Sequence, residues 1–355
     1  MPNAFKRTAA YIGYRLKLWN LGYALFRIRD GKPMLVVFTF HRVTDSERSR
    51  EYYMYYERGI DYRIFELQLD AIAAYFAFVD LDQFVDIIKG RNKPKRHTAL
   101  LTFDDADSEF VEYAQPLLHR RRIPSVMFAP TDFIESANRF WHLRVSNVVR
   151  KLEPGHWEKM RCQTETLPTQ IKDIIMRDFP SDEAKKRRLA LDLNHAFDLE
   201  NIKDVMRTIE NWETIVGGDF LLGIKCLTWE QLRNLSMDGV HIESHSASHG
   251  KLAQCHGREL REELENSKKI LEREVGRTVK AISYPGGSYN EAVMEAAREA
   301  GYMVGFTTEN GFCRYPLDDP DVYRLPRYSL YGDTTAEIHY ALGALAVNGI
   351  LGRRV

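Results

Sequence analysis

The feature that most constrains this chain is a recurring alternation of short apolar, β-rich runs with segments of helical period. Such runs stand at 34–40, 99–103, 125–129, 240–243, 279–284 and 302–307, with a shorter one at 78–81 and a further segment around 323–328. Between them the spacing predicts helices at 63–76, where Phe65, Leu69, Ile72 and Phe76 share a face, and through Leu117, Leu118 and Arg121. More follow near 228–235, from Gly257 to about Val275, and at 290–300. Strand, helix, strand, helix is the rhythm of a parallel α/β architecture. About seven β/α units are readable.

The rhythm stops at 131–225, where charged, helix-favouring sequence such as Ser181 to Arg188 contains no convincing strand. A helical insertion is predicted there. At roughly 150 residues per domain, 355 residues mean two compact units or one large barrel with an insertion. The expected organisation is an N-terminal segment at 1–33, a barrel from 34–130 and 226–332, the insertion at 131–225, and a C-terminal helix or tail at 333–355.

Composition removes several function classes. Lys plus Arg and Asp plus Glu both number 50, so no whole-protein field favours nucleic acid. With 44% hydrophobic and 28% charged residues the chain is an ordinary globular protein. Cys162, Cys226, Cys255 and Cys313 are far apart, show no C-x-x-C pattern, and are expected to be buried reduced thiols in a cytosolic protein. No apolar run reaches the roughly 18 residues of a spanning helix, and Arg15, Lys17, Arg27 and Arg29 interrupt the N-terminal stretch. The expected compartment is the cytoplasm. Residues 5–29 nevertheless set Phe5, Ala9, Ile12, Leu16, Trp19, Tyr23 and Phe26 on one helical face, with Lys6, Arg7, Lys17 and Arg29 elsewhere. That segment reads either as an interfacial helix on anionic lipid at the inner face of the membrane or as a helix packed on its own protein.

Three predicted strand ends are unusually polar, and in such folds the loops after the strands build the site. Thr102-Phe103-Asp104-Asp105 puts two carboxylates at one terminus, able to divide the roles of base and ligand. His245 and His249 follow another strand; four apart, they would share one face of a helical turn, a spacing suited to a metal. One Asp and two His leave a coordination position open, as catalytic metals require. The turn Ser283-Tyr284-Pro285-Gly286-Gly287 exposes backbone N–H groups that could hold an oxyanion. Each signal has an ordinary counterpart: an Asp pair caps helices, an H-x-x-x-H is common, and Tyr-Pro-Gly-Gly makes turns. Their order and shared placement favour chemistry.

Taken together, these motifs resemble those of the NodB-homology polysaccharide deacetylases, a family of carbohydrate esterases. Thr102 to Asp105 resembles the first family motif, His245 to His249 the second, and Ile282 to Gly287 a variant of the third. Phe40-His41-Arg42-Val43, Phe65 to Leu69, Glu259 to Leu264 followed by Ser267 to Leu271, and Glu299 to Tyr302 followed by Phe306 to Thr308 are similar to its supporting stretches. The resemblance covers roughly 34–130 and 226–330. It implies a distorted (β/α) barrel of about seven parallel strands that holds a divalent metal, zinc first and cobalt, nickel or iron as alternatives. The implied metal ligands are Asp105, His245 and His249, and the implied base is Asp104. The Gly286 N–H would then help to hold the oxyanion.

The chain also departs from the family pattern. The third motif lacks its arginine, for which Arg327 is the expected replacement, and the tryptophan-bearing fourth motif is absent. No leucine-x-histidine fifth motif supplies a general acid, and His41, at the end of the first strand, is the expected substitute. The implied reaction is removal of an N-acetyl group from an amino sugar of a polysaccharide, glycolipid or lipid-linked glycan. A deformylase or other amide hydrolase on the same scaffold, and a barrel that only binds carbohydrate, are the alternatives. The insertion is a candidate roof for the pocket, and Phe140, Trp141 and His142 at its start would stack on sugar or anchor helices.

Overall fold

The computed structural model describes Gly13 and residues 32–45, 59–136, 140–218, 225–317 and 321–351. Apart from Gly13, the basic aromatic segment at 5–29 lies outside the described residues. By contact density the chain divides into a unit of 1–45, 60–135 and 226–355 and a unit of 46–59 and 136–225.

Seven strands form the barrel: β1 (Met34–Phe40), β2 (Thr98–Phe103), β3 (Val126–Ala129), β4 (His241–Ser244), β5 (Ala281–Ser283), β6 (Val304–Asn310) and β7 (Leu325–Arg327). They pair parallel in that order. Closure comes just past β7, where Tyr328 bridges Phe38 of β1: Tyr328 N donates to the Val37 carbonyl at 2.7 Å and Thr39 N to the Tyr328 carbonyl at 3.1 Å. Two short pieces add to the same sheet: Cys313–Arg314 runs antiparallel to β1, and Ala77–Phe78 runs parallel to β2. The distorted seven-stranded (β/α) barrel is therefore present.

Alternation along the strands sorts the side chains. Leu35, Val37, Leu100, Val126, Phe128, Ala281, Val304, Phe306 and Leu325 come from six strands yet share one apolar cluster, which is possible only inside the barrel. The Leu81–Ile88 helix, held by an Asp80 to Gln83 capping box, contributes Leu81, Phe84, Val85, Ile87 and Ile88 to the same cluster. The opposite faces, with Val36, Phe38, Leu101, Met127 and Ile282, join the larger core beneath the surrounding helices. Continuing the inward row by two residues on each strand leads from Leu100 to Thr102 and Asp104, and from Leu325 to Arg327. The polar site thus sits where the apolar interior ends.

The second unit is helical. Helices at Trp141–Arg150, Pro154–Arg161, Thr169–Ile175, Glu183–Asp198 and Ile202–Val216 pack on a core of their own that includes Trp157, Phe197 and Trp212. Its longer segment runs from Ser136, and Thr131 and Asp132 before it donate their N–H groups to the Ser246 and Ala247 carbonyls of the barrel unit. Phe140 is buried and stacks on His142, with centroids 5.6 Å apart, and Trp141 packs on the helical core. The expectation of four buried thiols needs correction: all four are free, but only Cys255 is buried and Cys162 is exposed. Among the described residues no helix is long and apolar enough to cross a membrane.

Candidate active site

Register brings the first two strand ends together. Phe40 of β1 lies opposite Phe103 of β2, and Asp104 N donates to the Phe40 carbonyl at 3.0 Å. His41, next along β1, therefore reaches Asp104, with its Nε2 at 3.9 Å from Oδ2. It is half-exposed. The Asp104 carboxylate, by contrast, is buried and gripped by Arg327, which donates from Nη1 to Oδ1 and from Nη2 to Oδ2, both at 2.7 Å. Arg327 is itself oriented by donation from Nε to the Thr307 carbonyl at 2.8 Å. Burial pushes the Asp104 carboxyl upward, but the Arg327 charge, with His245 behind it, wins and brings it down to about 2. Asp104 is held ionised.

Asp105 faces the same place by a different device. Successive strand residues point to opposite faces, so its side chain turns inward only because the backbone enters the left-handed region, with φ of 73° at Asp105 and 51° at Ala106. That conformation costs a non-glycine residue about 1–2 kcal/mol. Neighbouring bonds hold it: Leu227 N donates to the Ala106 carbonyl at 2.7 Å, and Cys226 Sγ to the Asp105 carbonyl at 3.4 Å. Strain concentrated at a polar strand end is a mark of a functional site.

The two histidines arrive from the end of β4. His245 is buried, and its Nδ1–H donates to the Ser283 carbonyl at the end of β5, at 2.7 Å. That bond selects the tautomer with a bare Nε2 and aims it inward, as it does for metal-binding histidines generally. The expected helical turn is absent. The 245–249 segment is an irregular loop with positive φ at Ser246 (61°) and His249 (54°), in which the Ala247 and Ser248 N–H groups bond to Glu263 of another element rather than along a helix. The imidazoles still meet, with centroids 4.9 Å apart at 73°.

One ligand atom from each of Asp105, His245 and His249 falls within 4.8 Å of the others. Asp105 Oδ1 lies 3.5 Å from His245 Nε2 and 3.2 Å from His249 Nε2, and it is buried without a partner in hydrogen-bonding geometry. An orphaned buried carboxylate oxygen facing two imidazole nitrogens is the donor set of a divalent cation. The residues fit a metal. Phe128 and Phe133 set aromatic rings beside His245 and His249 respectively.

The predicted site residues thus divide. Asp104, Asp105, His245, His249, Arg327 and His41 converge at the C-terminal end of the barrel. Gly286 stands in the Pro285–Gly287 turn just past β5, exposed, with φ of 57°. Three contributors escaped the sequence reading. The Ser283 carbonyl and hydroxyl serve His245 and Asp104, the latter at 3.4 Å, and the Thr102 hydroxyl lies 3.4 Å from Arg327 Nη1. The inward period of β2 and β5 could have found both. The third, Arg42, is buried, with its Nε donating to Glu109 at 2.8 Å and its Nη1 3.4 Å from Asp107.

A sequence model of the polysaccharide deacetylase family matches residues 196–305, a stretch that includes His245, His249 and the Ser283 to Gly287 turn. Over that stretch the chain is similar to the polysaccharide deacetylase family. Asp104, Asp105 and Arg327 lie outside the matched stretch, so the fold rather than the match joins them to the matched histidines. Among curated proteins, YxkH of Bacillus subtilis strain 168, named as a polysaccharide deacetylase, is 38% identical over 85 residues. That alignment takes in 24% of this chain and 30% of the relative, so the chain spans about a third of that relative's length. Among solved structures, the Streptococcus pyogenes deacetylase PplD in complex with acetate superposes with a TM-score of 0.54 at 15% identity, covering 91% of this chain and 98% of that one. IcaB from Ammonifex degensii superposes with a TM-score of 0.54 at 17% identity, covering 88% and 97%. The two superpositions show a shared fold.

Proposed function

We propose that this chain is a metal-dependent hydrolase that removes an N-acetyl group from an amino sugar of a polysaccharide, glycolipid or lipid-linked glycan. The observation that carries the reading is the pairing of Asp104 with Arg327 beside three convergent metal-ligand atoms. A binding module has no need of an ionised base next to a metal. The family match and the name of the Bacillus subtilis relative support the reaction class.

Asp105, His245 and His249 would hold the cation, with zinc first and cobalt, nickel or iron as alternatives. Bound there, a divalent metal lowers the pKa of water from about 15.7 toward 7 and polarises the amide carbonyl. The chain's own groups do the rest. Asp104, kept ionised and aimed by Arg327, accepts the proton of the attacking water. The Gly286 N–H helps to hold the oxyanion that develops on the amide oxygen. His41, near Asp104 yet half-exposed, donates the proton that the leaving amine requires.

The test is elemental analysis after stripping and reloading with zinc, cobalt, nickel or iron, run beside acetate release from N-acetylated amino-sugar oligomers. About one metal per chain is expected in the wild type, lost in Asp105→Ala and His249→Ala while the fold persists. Asp104→Asn should keep the metal and lose acetate release. No metal under any loading would sink the proposal. Metal without turnover on any N-acyl sugar, combined with normal glycan binding by Asp104→Asn, would turn it into a binding barrel.

A further inference from the structure

The loop between the two histidines is braced from outside the site by a single carboxylate. Glu263, on the Gly257–Val275 helix, accepts with Oε2 from Ala247 N at 3.1 Å and from Ser248 N at 2.9 Å, and with Oε1 from the Ser248 hydroxyl at 2.5 Å. Consecutive backbone N–H groups that converge in this way form an anion-binding concavity, and here the anion belongs to the chain itself. One helical turn further along, the Ser267 hydroxyl lies 2.7 Å from that of Ser244, which in turn accepts from Ser246 N at 3.2 Å. The Ser246 hydroxyl then accepts from His249 N at 3.1 Å. The Glu263 grip on Ala247 and Ser248 spans the stretch between the two left-handed residues, Ser246 and His249.

The two histidines are unequally secured. His245 leaves β4 directly, is buried, and is fixed through its own ring by the Ser283 carbonyl. His249 lies four residues out, is only half-buried, and depends on the backbone path before it. Without the carboxylate, the N–H groups of Ala247 and Ser248 have no other acceptor among the described residues. Ser248 is exposed, so water takes the place of the carboxylate at its N–H, while Ala247 is buried. What is lost is the order of the loop.

We propose that Glu263 is a positioning residue of the metal site: its carboxylate holds the Ala247–Ser248 backbone so that His249 is set for ligation before the metal arrives. This rests on the metal-site reading above. Outer partners of metal ligands typically change affinity by about 10–100-fold when they are removed. Glu263→Ala, which removes the acceptor altogether, is therefore expected to weaken binding about tenfold, acting through His249 and leaving His245 in place.

The experiment titrates cobalt(II) into metal-free wild type, Glu263→Ala, Ser248→Ala and His249→Ala, reading affinity by competition with a chromophoric chelator and ligation by visible absorption. Thermal unfolding of each metal-free protein is measured alongside. Glu263→Ala should bind about tenfold more weakly and shift its absorption toward that of His249→Ala, with an unfolding midpoint close to that of the wild type. Wild-type affinity and spectrum in Glu263→Ala would overturn the assignment. Should that variant fail to fold, Ser248→Ala carries the test, with a smaller loss in the same direction expected and wild-type binding counting against the brace. Wild type that binds no cobalt would instead overturn the metal-site reading itself, and the brace with it.

Discussion

Asp104 and Arg327 meet across the barrel as a two-pronged ion pair, both contacts at 2.7 Å and both side chains buried. They are 223 residues apart in sequence and join because β2 and β7 both flank β1: β2 pairs with it in register, and Tyr328, just past β7, bridges it. The planar guanidinium matches both carboxylate oxygens at once, which a lysine cannot do. Truncating one partner leaves the other charged and buried, a loss that typically costs about 3–5 kcal/mol.

Arg327→Met is accordingly expected to lower unfolding stability by about 3–5 kcal/mol in urea melts and to abolish acetate release. Arg327→Lys should recover part of the stability, since the charge returns, but little of the turnover, because the carboxylate is no longer aimed. Wild-type turnover in Arg327→Lys would show that charge alone, without orientation, suffices.

Much of this arrangement was legible in the chain. The strand at 34–40 is readable to the residue because both of its faces are buried, and the 257–275 helix because Gly276, at φ of 73°, ends it in the left-handed conformation that glycine accepts. The strand expected at 279–284 shrinks to Ala281–Ser283. The Glu243 carboxylate takes the N–H groups of Lys280 and Ala281, at 2.6 and 2.7 Å, and Glu272 takes that of Val279. Such side-chain captures leave no trace in hydrophobic period. The tail of β6, Thr308 to Asn310, is exposed and polar, and so looks like loop. At 245–249 the four-residue spacing suggested a helical turn, whereas acceptors on distant elements, Glu263 above all, dictate the path.

A second buried ion cluster ties the end of β1 to the loop that carries the carboxylates. Arg42 reaches Glu109 and Asp107, and all three side chains are buried. Arg42→Leu removes the guanidinium from two buried carboxylates and should cost about 3–5 kcal/mol in a denaturant titration. A loss under about 1 kcal/mol would mean that water replaces the guanidinium, as it does for exposed pairs.

The C-terminal helix, Thr335–Leu351, brings a pH dependence. His339 lies with Nδ1 3.0 Å from the Tyr75 hydroxyl, and burial pushes its imidazole below the ordinary value. His241, at the start of β4, is shifted the same way by burial, with Lys280 and Arg277 adding to the shift and Asp82 and Asp80 opposing it. Near the ordinary histidine value of about 6.5 the unfolded chain takes up protons that the folded one resists, so stability is full above that pH and falls as the solution is acidified through it. The midpoint of thermal unfolding should therefore drop between pH 8 and pH 5, and by less in His339→Gln. An equal drop in the variant would remove His339 from the account.

In the proposed reaction, His41 is the group that supplies the leaving amine with its proton. It lies just past β1, its Nε2 stands 3.9 Å from Asp104 Oδ2, and 42% of its side chain is exposed, so it can meet both the buried base and an incoming sugar. A neutral leaving amine needs a proton. General acids of this kind contribute about 10²–10⁴ in rate. His41→Gln should therefore reduce kcat by about a hundredfold or more while leaving metal content unchanged, and should flatten the alkaline limb of the pH–rate profile where the imidazolium is lost. Retention of wild-type turnover with an unaltered profile would release His41 from the role and leave the proton to solvent.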